Sequence, residues 1–262
     1  MTNTDERRFL DSEGRVTQWP SRPVDKLLII AYLAGKFEHG DSYTEAGVND
    51  ILKRWHTFSD WPLLRRELFE RGFIDRNRDG TNYHLVELST SIPELVLVRP
   101  NVDRDAPAGV KWLAGQEGRK TLQLMGTADK YNKPSTLEDE KQRVRGFITS
   151  TNRETWMISY GGKVIGAIWI DLEGTEYLAA PSIHIMIGSP NTRGKGVGLA
   201  VMKSFIKRME DEDKEGDLYS RHLLENEPIT KLFRKIGFED AGVPYEDSDG
   251  LSWQNVSYKL PK

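Results

Sequence analysis

In the first ninety positions, apolar residues first recur at helical spacing and then form two short segments typical of strands. Apolar residues at helical spacing predict three helices, over residues 25–35, 42–55 and 62–72. Two short apolar segments, 73–74 and 83–86, then flank Asn-Arg-Asp-Gly at positions 77–80, a typical hairpin-turn sequence. This order predicts a small domain of helices followed by a β-hairpin.

The pattern changes after Ser89-Thr-Ser-Ile-Pro93, a small polar segment that predicts a domain boundary. We therefore expect two domains, residues 1–90 and 91–262, in an α+β protein whose second domain has a mixed sheet. Helices are predicted over 106–114, 136–150, 199–209 and 226–236. Strands are predicted over 95–99, 155–160, 163–172, 182–187, 218–223, 238–241 and 253–260.

The most informative segment runs from Ser182 to Gly198. Its first part alternates isoleucines with other residues, which indicates a strand. A polar loop follows and ends in Arg193-Gly-Lys-Gly-Val-Gly198, directly before an amphipathic helix. A glycine-rich turn at a helix start leaves backbone N–H groups free at the positive end of the helix dipole. The segment therefore predicts an anion site, for which a pyrophosphate is a natural ligand, although a merely flexible turn is the alternative.

The glycine spacing decides between the phosphate-binding loops. A P-loop requires Ser or Thr after its Gly-Lys pair, and Gly194-Lys195 is followed by Gly196. A dinucleotide loop requires Gly-x-Gly-x-x-Gly near the start of a domain, whereas this loop reads Gly-x-Gly-x-Gly deep in the chain. The remaining pattern, Arg-x-x-Gly-x-Gly, resembles the pyrophosphate loop of the GNAT (GCN5-related N-acetyltransferase) superfamily.

A second motif supports this resemblance. Residues 226–238 read Asn-Glu-Pro-Ile-Thr-Lys-Leu-Phe-Arg-Lys-Ile-Gly-Phe and are similar to the Asn-x-x-Ala-x-x-Leu-Tyr-x-Lys-x-Gly-Phe signature of GNAT proteins. By itself the segment is also typical of an ordinary amphipathic helix with an asparagine near its start. The resemblance covers about residues 94–262. It implies transfer of an acetyl group from acetyl-CoA to a primary amine, by direct attack in a ternary complex.

The resemblance also assigns the acetyl-CoA site residue by residue. The strand before the loop pairs with the pantetheine, the loop surrounds the pyrophosphate, and the later helix contacts the arm of the cofactor. The implied acetyl-CoA or CoA contacts are Ile185, Met186, Ile187, Arg193, Gly194, Lys195, Gly196, Val197, Gly198, Asn226 and Phe233. No metal is implied.

His184 is the candidate general base. By strand alternation it lies on the face opposite the isoleucines, so it faces the acceptor if they pack in the core. A histidine with its ordinary pKa of about 6.5 suits proton removal near neutral pH. A strand histidine bonded to a neighbour is the alternative. Phe233 stands where GNAT proteins usually have a tyrosine acid, and Tyr219 is the candidate substitute.

Three acidic residues precede the strand of His184. Asp171, Glu173 and Glu176 are candidates for attracting a cationic amine, and a solvated acidic turn is the alternative. The expected acceptor is a small cationic amine of aminoglycoside type, another small molecule, or a peptide amine such as a protein N-terminus.

The N-terminal region resembles the DUF2087 family of small winged-helix-type domains over about residues 20–88, most specifically at Leu64-Arg-Arg-Glu-Leu68. Residues 1–88 contain 13 Lys and Arg against 15 Asp and Glu, so nucleic-acid binding is possible but not favoured. An alternative function is an acyl-CoA-sensing regulatory protein whose N-terminal domain binds nucleic acid or protein. Because Phe233 stands where GNAT enzymes usually have a tyrosine, that alternative stays open.

Composition excludes several kinds of site and bears on whether the protein meets a membrane. The chain has no cysteine, which excludes disulfides, thiolate metal sites and a cysteine nucleophile. Its net charge of −3 predicts no general attraction to anionic membranes. The first ten residues are polar, and the longest apolar run, 27–33, is too short to cross a bilayer. We therefore expect a cytoplasmic protein without a membrane partner.

Overall fold

The computed structural model describes residues 5–212 and 214–260. The described residues form two compact units. The first contains the chain up to residue 87 together with residues 99–106 and 141–149. The second contains residues 88–98, 107–140 and the chain from residue 150. A domain boundary near residue 90 remains a prediction.

The first unit combines three helices with a small antiparallel sheet. The helices are α1 (Pro23–Ala34), α2 (Glu45–Trp55) and α3 (Trp61–Glu70). The strands β1 (Tyr43–Thr44), β2 (Ile74–Arg76) and β3 (Asn82–Leu85) form a sheet in the order β1-β3-β2. The predicted helices and hairpin are present, and the winged-helix interpretation of them stays a prediction.

Capping side chains decide where two of these helices begin. The hydroxyl of Thr44 accepts the Gly47 N–H at 3.2 Å, so α2 begins later than the predicted start at position 42. Asp60 accepts the Leu63 N–H at 3.2 Å and starts α3 in the same way. The helices and the sheet enclose one apolar core, which includes Ile29, Ile30, Leu33, Val48, Leu52, Leu64, Leu68 and Ile74.

A buried ion pair fastens the start of the chain within this unit. The Arg145 side chain is 2% exposed, and its Nε lies 2.8 Å from Glu6 Oε2. Asp5 adds a second carboxylate, 3.2 Å from the same guanidinium. Because a buried charge without a partner costs several kcal/mol, these groups hold one another in place.

The second unit is built on a mixed sheet. Its helices are α5 (Gly115–Leu124), α7 (Val197–Asp211) and α8 (Glu227–Ile236). Two further helices, α4 (Val102–Trp112) and α6 (Leu137–Thr149), are divided between the units, with residues 102–106 and 141–149 in the first. Its strands are β4 (Glu87–Ser89), β5 (Leu95–Val98), β6 (Arg153–Tyr160), β7 (Lys163–Asp171), β8 (Ser182–Ile187), β9 (Gly216–Leu223), β10 (Glu239–Asp240), β11 (Tyr245–Glu246) and β12 (Ser252–Leu260).

The strand order is β10-β12-β9-β8-β7-β6-β5-β4, and β11 pairs with β12. Neighbouring strands from β5 to β8, and β9 with β12, are antiparallel, whereas β8 and β9 are parallel. The sequence pattern did not indicate α5, because its Gly-Gln-Glu-Gly-Arg-Lys start is polar and contains two glycines. It also did not indicate β4 or β11, which are three and two residues long.

The parallel pair β8–β9 diverges at once. β8 is paired along its whole length with β7, and β9 along its whole length with β12. Between β8 and β9, the described residues form one registered pair, Ser182 with Tyr219. Ile183 and Ile185 are buried on one face of β8, where α7 contacts the strand, so the gap lies beside the core.

Close packing at the end of β8 leads to a stability prediction. A Cβ built on Gly188 lies 2.3 Å from ring atoms of Trp112, which real Cβ atoms do not approach. We expect Gly188→Ala to lower the free energy of unfolding by about 1–3 kcal/mol, because the indole must shift in a packed site. Urea unfolding followed by circular dichroism measures the change.

Gly146→Ala is the matched control. It lies within α6, and no described atom lies within 4 Å of a Cβ built there. The control is expected to leave stability unchanged or to raise it by up to about 1 kcal/mol, because alanine is the better helix former. Equal stability of Gly188→Ala and the wild-type protein would contradict the packing argument.

Candidate active site

A cavity of about 540 Å³ lies where β8 and β9 diverge. It has one side made by α8 and the end of α5, and another made by polar and aromatic residues of the sheet. The first group includes Leu124, Met125, Asn226, Ile229 and Phe233. The second includes Arg153, Trp169, Asp171, Ser182, His184, Arg221 and Trp253.

The backbone of Ile185 faces this gap. Along a strand the N–H and C=O groups of alternate residues point to the same side. Ile183 directs its carbonyl toward β9, where it accepts the Ser220 hydroxyl at 2.6 Å. Ile185 has the same orientation but no registered partner on β9, so its amide and carbonyl line the cavity. Met186 pairs with Ala167 on the other side, and its side chain shares the face of His184.

The glycine-rich loop presents an uncapped helix start. Gly194 and Gly196 have φ angles of 74° and 80°, a left-handed conformation that favours glycine. No side chain caps α7, which begins at Val197. No described atom lies within 4 Å of a Cβ built on Gly194 or Gly196. Among the described residues, the first N–H groups of α7 therefore have no side-chain cap at the positive end of the helix dipole, as an anion site requires.

Arg193 acts on the protein side of this loop. Its Nε donates to the Ile187 carbonyl at 2.9 Å, and its Nη2 donates to the Thr121 hydroxyl at 2.8 Å. These bonds fasten the loop to β8 and to α5. Lys195, in contrast, is exposed and has no ion-pair partner among the described residues.

The remaining residues of the loop connect it to the helices. Val197 is 3% exposed and packs in the core. A Cβ built on Gly198 would lie 3.3 Å from Leu232 Cδ2, so the third glycine permits the close approach of α8 to α7. Gly198 therefore serves helix packing in this structure.

Asn226 and Phe233 place α8 at the cavity. The Asn226 side chain accepts the Ile229 N–H at 3.4 Å as the helix cap, and it donates to the Leu124 carbonyl at 3.0 Å. Phe233 is 3% exposed, and its ring centroid lies 5.9 Å from that of His222. Both residues line the cavity, where the Phe233 ring contributes an apolar wall.

His184 lies on the other side of the gap. Its ring stacks on Trp169 with centroids 5.3 Å apart, because the two residues are register partners on β8 and β7. Its Nε2 lies 3.1 Å from the Ser182 hydroxyl and 3.4 Å from Asp171 Oδ2. No described residue forms a hydrogen bond with Nδ1, which leaves this nitrogen for a ligand.

Burial controls the charge of this histidine. Desolvation lowers the pKa of His184 to about 4, with Arg153 and Arg221 acting in the same direction and Asp171 opposing them. The ordinary pKa expected from the sequence is therefore wrong for this site, because the strand pattern does not show how far the ring is enclosed. The imidazole is neutral near pH 7, and Asp171 favours the tautomer with its proton on Nε2.

The predicted acidic residues have different surroundings. Asp171 lines the cavity and is paired with Arg153, whose Nε and Nη2 donate to it at 2.5 and 3.1 Å. Glu173 is exposed and lines the cavity, whereas Glu176 and Tyr219 do not line it. The Tyr219 hydroxyl instead lies 3.5 Å from Asp217 Oδ2.

The structure adds Arg153, Trp169, Arg221, His222 and Trp253 to the candidate site. Strand register brings these residues together, since Arg153 is opposite Asp171 and Trp169 is opposite His184. Gly161-Gly162, between the predicted strands 155–160 and 163–172, is a typical hairpin turn, so the sequence indicates the pairing of β6 with β7. The order of β9 and β12 beside β8 carried no such signal, because those strands are distant along the chain.

Two other properties of the described residues bear on the kind of site. Within residues 5–212 and 214–260, no group of three or more acidic or histidine side chains is arranged to hold a metal ion. Among the helices of the same residues, none combines the length and hydropathy needed to cross a bilayer.

Solved structures similar to this chain are acetyltransferases. RimL, a ribosomal L7/L12 alpha-N-protein acetyltransferase in complex with coenzyme A, has a TM-score of 0.56 at 13% identity, over 67% of this chain and 98% of RimL. The microcin C7 self-immunity acetyltransferase MccE, in complex with acetyl-CoA and AMP, has a TM-score of 0.54 at 14% identity, over 64% and 94%. A GNAT-family acetyltransferase from Bacillus anthracis has a TM-score of 0.55 at 13% identity, over 67% and 99%. At these identities the likeness concerns the fold.

Family models identify both parts of the chain. The model described as "Uncharacterized protein conserved in bacteria (DUF2087)" matches residues 15–85. The model described as "Acetyltransferase (GNAT) domain" matches residues 94–239, which is more than half of the chain. A comparison with the curated proteins finds no match. The chain therefore belongs to the GNAT acetyltransferase family and is an enzyme of that family, with a DUF2087 domain preceding its acetyltransferase domain.

Proposed function

We propose that this enzyme transfers the acetyl group of acetyl-CoA to a primary amine by direct attack in a ternary complex. The divergence of β8 from β9 beside the uncapped start of α7 is the observation that carries the proposal. It combines an open strand edge, an anion site and a cavity, as a long phosphorylated acyl carrier requires.

The residues of the site fit acetyl-CoA. The free N–H groups before and within the first turn of α7 suit the pyrophosphate, and exposed Lys195 adds positive charge there. The backbone of Ile185 offers the pantetheine a strand-like partner, while Ile229 and Phe233 supply apolar contact. When bound, acetyl-CoA supplies a thioester whose carbonyl carbon the amine attacks and whose thiolate departs.

His184 is the proposed base. Its neutral Nδ1 accepts a proton from the attacking amine, while Asp171 orients the ring from the Nε2 side and stabilises the imidazolium that forms. Burial disfavours that charged form, so the nearby carboxylate matters more here than it would at an exposed histidine.

The departing thiolate has no tyrosine acid beside it among the described residues that line the cavity. Phe233 cannot donate a proton, and Tyr219 does not line the cavity. We infer that the thiolate leaves without protonation by the enzyme, because a thiol is acidic enough to leave as its anion.

Charge at the loop leads to a prediction for cofactor binding. We expect Lys195→Glu to raise the Kd of acetyl-CoA roughly tenfold, because it places a negative charge beside the proposed pyrophosphate site. Lys203→Glu is the matched control, since Lys203 is an exposed lysine within α7, farther from the proposed pyrophosphate site. Titration calorimetry measures both, and an equal effect of the two variants would argue against a pyrophosphate at this turn.

The role of His184 is tested by turnover. We expect His184→Gln to lower kcat about 100- to 10,000-fold, the usual contribution of a general base, with the Kd of acetyl-CoA unchanged. Thiol release across a panel of amines measures turnover. His84→Gln, at an exposed histidine, is the control. Tight acetyl-CoA binding without turnover of any amine by the wild-type protein would favour an acyl-CoA sensor instead.

Burial of His184 also predicts how stability depends on pH. Its pKa is about 4 in the folded protein and about 6.5 when unfolded, so the unfolded chain binds the proton more tightly. The folded state therefore loses stability as pH falls through this interval, by roughly 2 kcal/mol between pH 7 and pH 5. Urea unfolding at both pH values should show a smaller loss in His184→Gln. The same loss in both proteins would contradict the buried, neutral histidine.

A further inference from the structure

Two arginines line the cavity, and they differ in whether a carboxylate is paired with them. Arg153 is committed to Asp171 through two hydrogen bonds, at 2.5 and 3.1 Å. Arg221 also lines the cavity, but no carboxylate of the described residues lies within ion-pair distance of it. Since His184 is neutral near pH 7, Arg221 is a cation on this side of the cavity without an ion pair to the described residues.

Arg221 is on the acceptor side of the gap. Ser182 and Tyr219 are register partners of a parallel pair, so they share a face of the sheet. Two residues further along each strand, His184 and Arg221 lie on that same face. The opposite face of β9 carries Ser220 and His222, which are buried toward the helices.

Neighbouring rings hold the guanidinium in place. Its central carbon lies 4.1 Å from the ring centroid of Trp253, a cation–π distance. Its Nη1 donates to the Tyr245 hydroxyl at 3.1 Å, and Tyr245 stacks on Tyr177 with ring centroids 5.5 Å apart. A guanidinium has five N–H donors, and this is its one hydrogen bond to the described residues.

A nearby acid, Asp247, does not take up these donors. Asp247 contributes to the electrostatics around Arg221, but its Oδ2 accepts the Trp253 indole N–H at 2.8 Å. Its Oδ1 accepts the Asp249 and Leu251 N–H groups at 2.9 and 3.0 Å. The acid therefore positions the Trp253 indole beneath Arg221, and the guanidinium keeps free donors.

We propose that Arg221 binds an anionic group of the acceptor, a carboxylate or a phosphate, and thereby selects primary amines that also carry an acid. The inference rests on the proposed function and names the substrate class of that site. A fixed guanidinium recognises either oxyanion through paired hydrogen bonds. The polycationic acceptor expected from Asp171, Glu173 and Glu176 fits less well, because Arg153 already neutralises Asp171.

Matched pairs of amines test the proposal. The pairs are alanine with alaninamide, phosphoethanolamine with ethanolamine, and short peptides beginning Ser-Glu with those beginning Ser-Gln. For each pair, the ratio of kcat/KM values for the acidic and the neutral member is measured by thiol release, in the wild-type protein and in Arg221→Met. Because the amines of a pair differ in basicity, the change in this ratio between the two proteins is the informative quantity.

We expect Arg221→Met to lower the ratio roughly 10- to 100-fold for at least one pair, the range for losing a charged hydrogen-bonded contact. Arg221→Lys should retain part of the preference, and the Kd of acetyl-CoA should not change. Which pair responds distinguishes a free carboxylate, a phosphate and a peptide side chain. Arg234→Met, at an exposed arginine on α8 that does not line the cavity, controls for net charge.

The outcomes separate the two proposals. Turnover with unchanged ratios in Arg221→Met would overturn the role of Arg221 and leave the acetyltransferase proposal standing. A weaker Kd of acetyl-CoA in Arg221→Met, with unchanged ratios, would assign the arginine to the cofactor instead. Absence of both acetyl-CoA binding and turnover in the wild-type protein would overturn the proposed function and this inference with it.

Discussion

The candidate site depends on the separation of two strands that share one registered pair. β8 is held by β7 and β9 by β12, so each strand is stable without pairing fully with the other. The gap between them leaves the backbone of Ile185 open toward the cavity. Backbone polar groups in a buried position require partners, which makes this gap a place where an extended ligand adds hydrogen bonds that the sheet leaves unmade. Arg193 fastens the glycine-rich loop to the end of β8, so the loop and the gap are positioned together.

Charge in the site is arranged by pairing and burial. Asp171 is shared between Arg153 and His184, which limits its attraction for a cationic ligand while it orients the imidazole. Burial keeps that imidazole neutral, and a neutral ring is the form that accepts a proton. Arg221 forms no such ion pair with the described residues, because the carboxylate oxygens of nearby Asp247 accept the indole N–H of Trp253 and backbone N–H groups. One side of the cavity therefore combines the proposed base with a fixed cation, and the other side is apolar.

Much of the site was predictable where its residues are close along the chain. The glycine spacing at Gly194 and Gly196 indicated a left-handed turn before a helix, and the α7 start has that geometry. Alternation along β8 placed His184 on the face opposite the isoleucines, and His184 lines the cavity. The bond from Arg193 to Thr121 was not predictable, because the sequence pattern did not indicate α5. Tyr219 was expected near the reaction, whereas it does not line the cavity and the strands diverge just beyond it.

The sequence by itself determined the family, the glycine-rich turn before a helix, the order of most helices and strands, and the presence of phenylalanine rather than tyrosine at position 233. These features depend on spacing within a few turns of helix or strand, where backbone geometry links the positions of side chains. Tertiary structure alone decided that Arg153 neutralises Asp171, that burial lowers the pKa of His184 and that Arg221 keeps free donors. Those properties depend on which strands become neighbours and on how much water each group loses. No single segment of the sequence determines which strands become neighbours or how far a group is buried. Electrostatic interactions in the folded protein then act between residues that are distant in sequence.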